Sequence, residues 1–275
     1  LLLHLKATYT PGTVGIYRKS LEHFVLVTGN IQLGAVTRRH IDAFTARRLQ
    51  EISPVTVGIE LRSLRAAFYT ALRWELIEKN PFSGVKLPRT EEQIPKFLSR
   101  TDLTKLLAVM PHNWFRSMVI LAVLTGLRRS ELVNLTWFNV DFNHRVLHVQ
   151  SQGTIRTKTG KRRIVPLNST AESILRTRCQ SRNGDYVFTP DGRQVHPHNV
   201  SRVFFKYVGK AGLDKSIHFH CLRHTFATWL VQDGVSIYHV QKLLGHSSVK
   251  VTEVYAHLAP EDLHHSVEGI QFELN

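Results

Sequence analysis

Apolar residues recur at close to helical spacing through the first ninety positions. Thr13 precedes Ile16, Tyr17, Leu21, Phe24 and Val25; Thr37 precedes Ile41, Phe44 and Leu49; and Ser53-Pro54 opens a run with Ile59, Leu64, Phe68, Leu72 and Leu76. Each set gathers on one helical face, and a hydroxyl residue ahead of it can cap the free N–H groups of the first turn. Asn80-Pro81 closes the third helix, because proline has no N–H to donate. A small helical bundle is predicted. Arg62, Arg65 and Arg73 fall outside the apolar face of its third helix, where they either meet a phosphate or are solvated.

Residues 84 to 97 hold two prolines and a charge cluster without any apolar period. This is the signature of a linker. The predicted division is a helical domain over 1–85, a linker over 86–97 and a second domain over 98–275. In the second domain Thr101 is the expected cap of a helix carrying Leu103, Leu106 and Leu107, and Met118 to Leu127 reads as an apolar helix ending at a charged cluster. Beyond Trp137 the pattern changes: β-prone runs at Val146 to Val149 and Arg163 to Leu167 flank a turn-like segment, Thr157 to Lys161. They predict a small antiparallel sheet. Helices then return at Pro197 to Val208, Cys221 to Val231, Ile237 to Leu244 and Val249 to His257, with Gly234 and Gly245 as stops. The expected fold class is mainly α with a small antiparallel β-sheet.

Charge narrows the partner. The chain has 36 Lys and Arg against 21 Asp and Glu, a formal +15. The excess is spread over both parts: residues 1–90 hold 13 basic and 6 acidic residues (+7), and the remainder 23 and 15 (+8). A field of this size draws in polyanions, and its distribution points to two lobes sharing one extended anion, double-stranded DNA before a membrane. The apolar start, Leu1 to Leu5, is broken by His4 and is too short for a signal peptide or a span, so a cytoplasmic, nucleoid-associated protein is expected. Cys179 and Cys221 lack CxxC spacing and read as reduced structural residues.

Four clusters in the second domain share one chemistry: Thr125 to Glu131 (TGLRRSE), Thr157 to Lys161 (TKTGK), His220 to His224 (HCLRH), and Leu244 to His246 (LGH) followed nine positions later by Tyr255. Metal-free cleavage of a phosphodiester needs a nucleophile, positive donors for the non-bridging oxygens and an acid for the departing alkoxide. Arginine suits the oxygens through its planar, permanently charged fork. A tyrosine of ordinary pKa near ~10 is almost wholly protonated at neutral pH and needs a base or dense positive charge. His220 is one such base. A lysine on a hairpin can protonate the leaving oxygen, and Lys158 is preferred to Lys161 for that role.

These clusters resemble, in type and order, the motifs of the tyrosine recombinases, the phage-integrase family. The resemblance spans Thr125 to Leu258, about half the chain. It implies Arg128 and Arg223 as phosphate clamps, Lys158 as general acid, His220 as acid/base, His246 as phosphate donor and Tyr255 as nucleophile, with Glu131 at the acidic position that orients the arginines. It also implies a site-specific recombinase that works through a 3′-phosphotyrosine without metal or ATP, for integration or excision of a phage or mobile element. The helical domain is then a core-type DNA-binding domain, and the expected partners are a recombination site, three further copies of the chain in a homotetramer, and accessory DNA-bending or directionality proteins. The two lobes would clamp opposite sides of the duplex. Arg129, Lys161, Arg162 and Arg163, like Arg62 and Arg65, read as backbone contacts or solvated charges. Residues 260–275 carry Leu263, Val267, Ile270 and Phe272, an apolar set suited to docking on a neighbouring subunit. The sequence opens without Met and lacks the small extra DNA-binding domain found ahead of this region in many phage integrases, as expected of a fragment or a simpler member.

Plainer readings compete. A tyrosine closing an amphipathic segment is usually a packing residue, as Tyr207 and Tyr238 are here; the spacing from His246 and the company of Arg223 set Tyr255 apart. His220 and His224 stand four apart with His218 nearby, a metal-like spacing, but the glutamate of HExxH is missing. His224 is therefore expected in a packing or supporting role. Gly153 to Lys161 has the wrong spacing for a phosphate loop, and Arg162 follows Lys161 in place of Ser or Thr. Two functional rivals remain: a topoisomerase using the same tyrosine chemistry, and a DNA-binding protein with an inactive catalytic fold.

Overall fold

The computed structural model describes residues 2–90, 94–150 and 162–259, and these divide into two compact units, one within 2–90 and one from Ile94 onward. The architecture is the expected one, helical with a three-stranded antiparallel sheet.

The first unit comprises α1 (Leu2–Thr8), α2 (Pro11–Thr28), α3 (Arg38–Glu51) and α4 (Pro54–Arg73). Thr10, not Thr13, caps α2: its side chain accepts the Thr13 N–H, because Pro11 already occupies the first turn with no N–H to offer. Helix α4 stops at Arg73, before Asn80-Pro81, and Glu75 then adopts a left-handed φ of 57°. Phe24, Phe44, Phe68 and Phe82 pack edge-on or tilted around Ile41, Leu61 and Leu64. Leu49 is exposed and Arg48 is buried in its place, because its guanidinium forks onto Glu60 at 2.8 and 2.9 Å. The Glu60 carboxylate also meets His23 Nδ1 at 2.7 Å.

The second unit starts with α5 (Arg100–Ala108), capped by Ser99 and not Thr101, since the Ser99 hydroxyl accepts the Asp102 N–H at 3.0 Å. Helix α6 (Trp114–Thr125), apolar on nearly every side, forms the centre of the core and packs on α8 (Ser169–Gln180) and α10 (Cys221–Gln232). Between them come α7 (Arg129–Val133), the strands β1 (Val140–Asp141), β2 (Val146–Gln150) and β3 (Arg162–Pro166), and later α9 (Pro197–Lys210). Strand β2 pairs antiparallel with both neighbours, with Leu147 opposite Val140 and Val165. After α11 (Ile237–Leu244) the chain makes two 3₁₀ segments, Val249–Val251 and Glu253–Leu258, where one continuous helix was expected. No described helix is long and apolar enough to cross a membrane.

Candidate active site

Two glycine turns and one buried arginine build the frame. Gly126 ends α6 in the left-handed region at φ +62°, and a Cβ there would lie 2.3 Å from Phe226 Cδ1, so only glycine permits α6 and α10 to approach this closely. Gly245 ends α11 at φ +67°, and its Cβ would meet Arg163 Cδ at 2.8 Å. Arg223, on the first turn of α10 and 2% exposed, donates from Nη1 to the Gly126 carbonyl at 2.7 Å and from Nη2 to the Leu244 carbonyl at 2.6 Å. It thus ties the TGLR turn to the LGH turn and still keeps a second N–H on each Nη. Burial, and then the Arg128 charge, pull its pKa down to about 9, which leaves it charged at neutral pH.

Arg128 leads into α7. Its backbone N–H donates to Glu131 Oε2 at 2.7 Å and its Nη1 to Oε1 at 3.0 Å. Glu131 is only 8% exposed, and a second arginine takes both its oxygens: Arg163 Nη1 meets Oε1 at 2.8 Å and Nη2 meets Oε2 at 2.7 Å, while Arg163 Nε donates to the Leu243 carbonyl at 3.0 Å. Burial works against the Glu131 carboxylate, but the Arg163 hydrogen bonds and the Arg128 N–H more than offset it and hold its pKa below the usual range. This corrects the reading of Arg163 as a solvated charge or backbone contact. The strand alternation explains why: Arg163 shares a face with the buried Val165 and Leu167, whereas Ile164 points outward and is exposed.

The histidines divide the remaining roles. His224 Nδ1 lies 2.5 Å from the Tyr255 hydroxyl. The ring against the Tyr255 hydroxyl thus stands one helical turn further along α10 than His220, the expected proton acceptor, and His220 meets the His224 ring edge-on with centroids 4.8 Å apart. Burial, then His220 and His218, push His224 down to about 4, so its ring is neutral. Tyr255 is 3% exposed, and burial raises it to about 12 although Arg223 pulls the other way. His246 is half-buried, with Nδ1 2.8 Å from Thr252 Oγ1. Burial and then Arg223 and Arg128 lower it to about 4. Burial, followed by Arg223, also lowers His220.

A cleft of about 400 Å³ opens beside this cluster, lined by Arg128, Arg129, Ser130, Ser201, His218, Phe219 and His220. Its lining is cationic or neutral, without a carboxylate. A larger hollow of about 1020 Å³ lies along the sheet near Phe138 and His148, and of the site residues described above only Arg163 lines it. Among the described residues no group of His, Cys, Asp and Glu could hold a metal ion.

The structure brings Arg128, Glu131, His220, Arg223, His246 and Tyr255 together in one unit. Lys158 and Lys161 lie outside the described residues, as do residues 260–275, and Arg162 opens β3. Arg129 is half-buried and hydrogen-bonded to Ser201 on α9. Arg62 is exposed, while Arg65 is half-buried and donates to the Val85 carbonyl, a local tie in place of the expected surface position. Sequence reasoning did not single out Thr252, gave His224 only a packing or supporting role, and read Arg163 as a backbone contact or solvated charge. The i, i+4 spacing of His220 and His224, noted there as metal-like, puts both rings on one face of α10.

Comparison with known proteins agrees with this geometry. The phage integrase family matches residues 96–262. A tyrosine recombinase of Pseudothermotoga lettingae is 34% identical, the alignment covering 95% of this chain and 92% of the relative. The tyrosine recombinase XerC of Oceanobacillus iheyensis is 31% identical over 95% of this chain and 90% of the relative. Among solved structures, the Tn1549 transposon integrase in complex with transposon right end DNA superposes with a TM-score of 0.78 at 22% identity, covering 97% of this chain and 95% of that one. A lambda integrase dimer bound to a core site gives 0.77 at 19% identity over 98% and 94% of the two chains. A buried tyrosine beside a histidine, a buried arginine tied to two glycine-ended turns, and a family match across the whole arrangement lead to one conclusion: the chain belongs to the phage integrase family of tyrosine recombinases, enzymes of site-specific DNA recombination.

Proposed function

We propose that Tyr255 attacks the scissile phosphate of a recombination site, forming a 3′-phosphotyrosine and freeing a 5′ hydroxyl, without metal or ATP. The observation that carries this reading is the Tyr255 hydroxyl held 2.5 Å from a neutral His224 on the same helix as Arg223. In the attack the phenolic proton leaves Oη for a histidine of α10, a bond forms from Oη to phosphorus, and the P–O5′ bond breaks with its electron pair. Lys158 protonates that departing oxygen. Arg128 and Arg223 hold the non-bridging oxygens, His246 adds a neutral donor, and His220 serves as acid/base beside the Arg128 edge of the cleft. The reverse reaction, with the 5′ hydroxyl of a partner duplex, joins new strands and conserves the phosphodiester's energy.

At 3% exposure Tyr255 cannot reach a phosphate from its present position, so the 3₁₀ segment that carries it swings outward when DNA binds. Four protomers exchange strands in pairs on the DNA, the basic first unit supplies further backbone contacts through residues such as Arg62, and accessory DNA-bending proteins set direction. Likeness to a transposon integrase supports integration or excision of a mobile element as the biological task.

A nicked suicide substrate tests the chemistry. Wild type should trap a covalent adduct, and Tyr255→Phe should bind the same DNA and trap none. An adduct in the Phe variant would overturn the assignment. Exchange between two sites, as against relaxation of supercoils without site preference, separates a recombinase from a topoisomerase.

A further inference from the structure

Thr252 lies three residues before Tyr255 and plays no part in the chemistry so far. It is fully buried, its hydroxyl is 2.8 Å from His246 Nδ1, and its carbonyl receives the Tyr255 N–H at 3.0 Å. A buried hydroxyl hydrogen without an acceptor is costly. Among the described residues the His246 ring is the only hydrogen-bond partner of this hydroxyl. If Nδ1 carried the ring proton, it would donate to Oγ1 and leave the Thr252 hydrogen with nothing to bond. The satisfied arrangement is the opposite one, in which Oγ–H donates to Nδ1 and the ring proton sits on Nε2.

We propose that Thr252 is a positioning residue that fixes the tautomer of His246, so that the neutral imidazole presents an Nε2–H donor to the phosphate. A neutral histidine can donate from only one nitrogen, and the bond made by the other decides which one. The surroundings require neutrality: burial and the charges of Arg223 and Arg128 press against protonation, with Arg163 on β3 and His220 on α10 adding to them. Glu131, the carboxylate of the arginine cluster, has both oxygens engaged by Arg163. An imidazolium would also bring a second proton to Nδ1 and strand the Thr252 hydroxyl. Because the same residue holds the Tyr255 amide, the turn that carries the nucleophile and the tautomer of the phosphate donor are set by one side chain and its backbone. The part about the phosphate rests on the function proposed above; the tautomer does not.

The two can be tested apart. In nitrogen-15 spectra of histidine-labelled protein, His246 should show a protonated Nε2 and a bare Nδ1. Thr252→Val, close in shape, should leave the proton shared between the nitrogens, and Thr252→Ser should restore the wild-type pattern. In single-turnover cleavage of the nicked substrate, Thr252→Val should be slower by about tenfold, the equivalent of one neutral hydrogen bond, with DNA affinity unchanged and Thr252→Ser near wild type. A wild-type ring protonated on Nδ1 would overturn the proposal without any variant having to fold, and so would an unchanged tautomer in Thr252→Val. If the spectra follow expectation while His246→Ala cleaves at the wild-type rate, the tautomer assignment stands and the phosphate-donor role of His246 falls.

Discussion

Replacing Glu131 by Gln should strongly destabilise the second unit. The carboxylate, 8% exposed, accepts four hydrogen bonds: the Arg128 amide, Arg128 Nη1 and both Nη groups of Arg163, which is itself only 10% exposed. Glutamine keeps the shape but removes the charge and turns an NH₂ toward a guanidinium. Arg163 cannot move to solvent, because its Nε is fixed on the Leu243 carbonyl and its Cδ packs where a Gly245 Cβ would be. Breaking one side of such a pair costs about 3–5 kcal/mol, since it leaves a buried charge unbalanced. In a unit of this size that corresponds to a fall in Tm of roughly 6–20 °C. Urea unfolding followed by fluorescence of Trp114, Trp137 and Trp229, all in this unit, measures it. The double variant Glu131→Gln/Arg163→Met should recover more than half the loss, because the stranded charge is gone and a flat apolar side chain fills its path. A cost below about 1 kcal/mol for Glu131→Gln, or strict additivity in the double variant, would refute the claim that this is a coupled, buried pair.

Gly126→Ala should cost about 2–5 kcal/mol, combining a left-handed backbone with a Cβ 2.3 Å from Phe226. Gly234→Ala, equally left-handed at φ +78° but in open space, should cost only about 1–2 kcal/mol in the same unfolding assay. Histidine linkage gives a second test: His224 and His246 stand at about 4 in the fold against an ordinary ~6.5. Between these values the unfolded chain binds more protons, so stability is complete above pH ~6.5 and falls as the pH drops toward 4. Urea midpoints at several pH values should show this slope, and His224→Gln should flatten it. Lys158→Ala should cleave ordinary DNA slowly and be rescued by a 5′-bridging sulfur, whose departure needs no proton; no rescue would assign the acid elsewhere.

The motifs were legible because their glycines and arginines have few structural substitutes. Gly126 and Gly245 hold backbone conformations and close approaches that side chains would block, so TGLR and LGH mark real turns and not chance matches. Less legible were residues whose role depends on which way a side chain points. Arg163 has the same chemistry as Arg162, and only the period-two face shared with Val165 and Leu167 shows that it turns inward. Ser99 and Thr101 are equally good caps as isolated residues; the turn geometry, with Ser99 ahead of Asp102, decides between them. Arg48 on α3 is buried because Glu60, twelve residues away on α4, faces it. Such pairings between elements are long-range facts that no local pattern carries.

The resting pKa of Tyr255 follows from the same charge arrangement. Among the arginines of the site, Arg163 is balanced by Glu131, and Arg128, 37% exposed, shares only its Nη1 with that carboxylate. Arg223 is bound to neutral carbonyls alone. Among the described residues, positive charge without a full carboxylate partner therefore stands on Arg128 and Arg129, which line the cleft, and on Arg223, where the proposed scissile phosphate would sit. Tyr255 gains little from it while buried, since desolvation holds the phenol at about 12 and its hydroxyl is committed to His224. If the segment Glu253–Leu258 turns outward as proposed, the desolvation is relieved and the arginine field lowers the pKa instead of being overruled by burial. Exposure and activation of the nucleophile are then a single event. In the proposed reaction the phenol is then inert at rest and reactive only beside a bound phosphate.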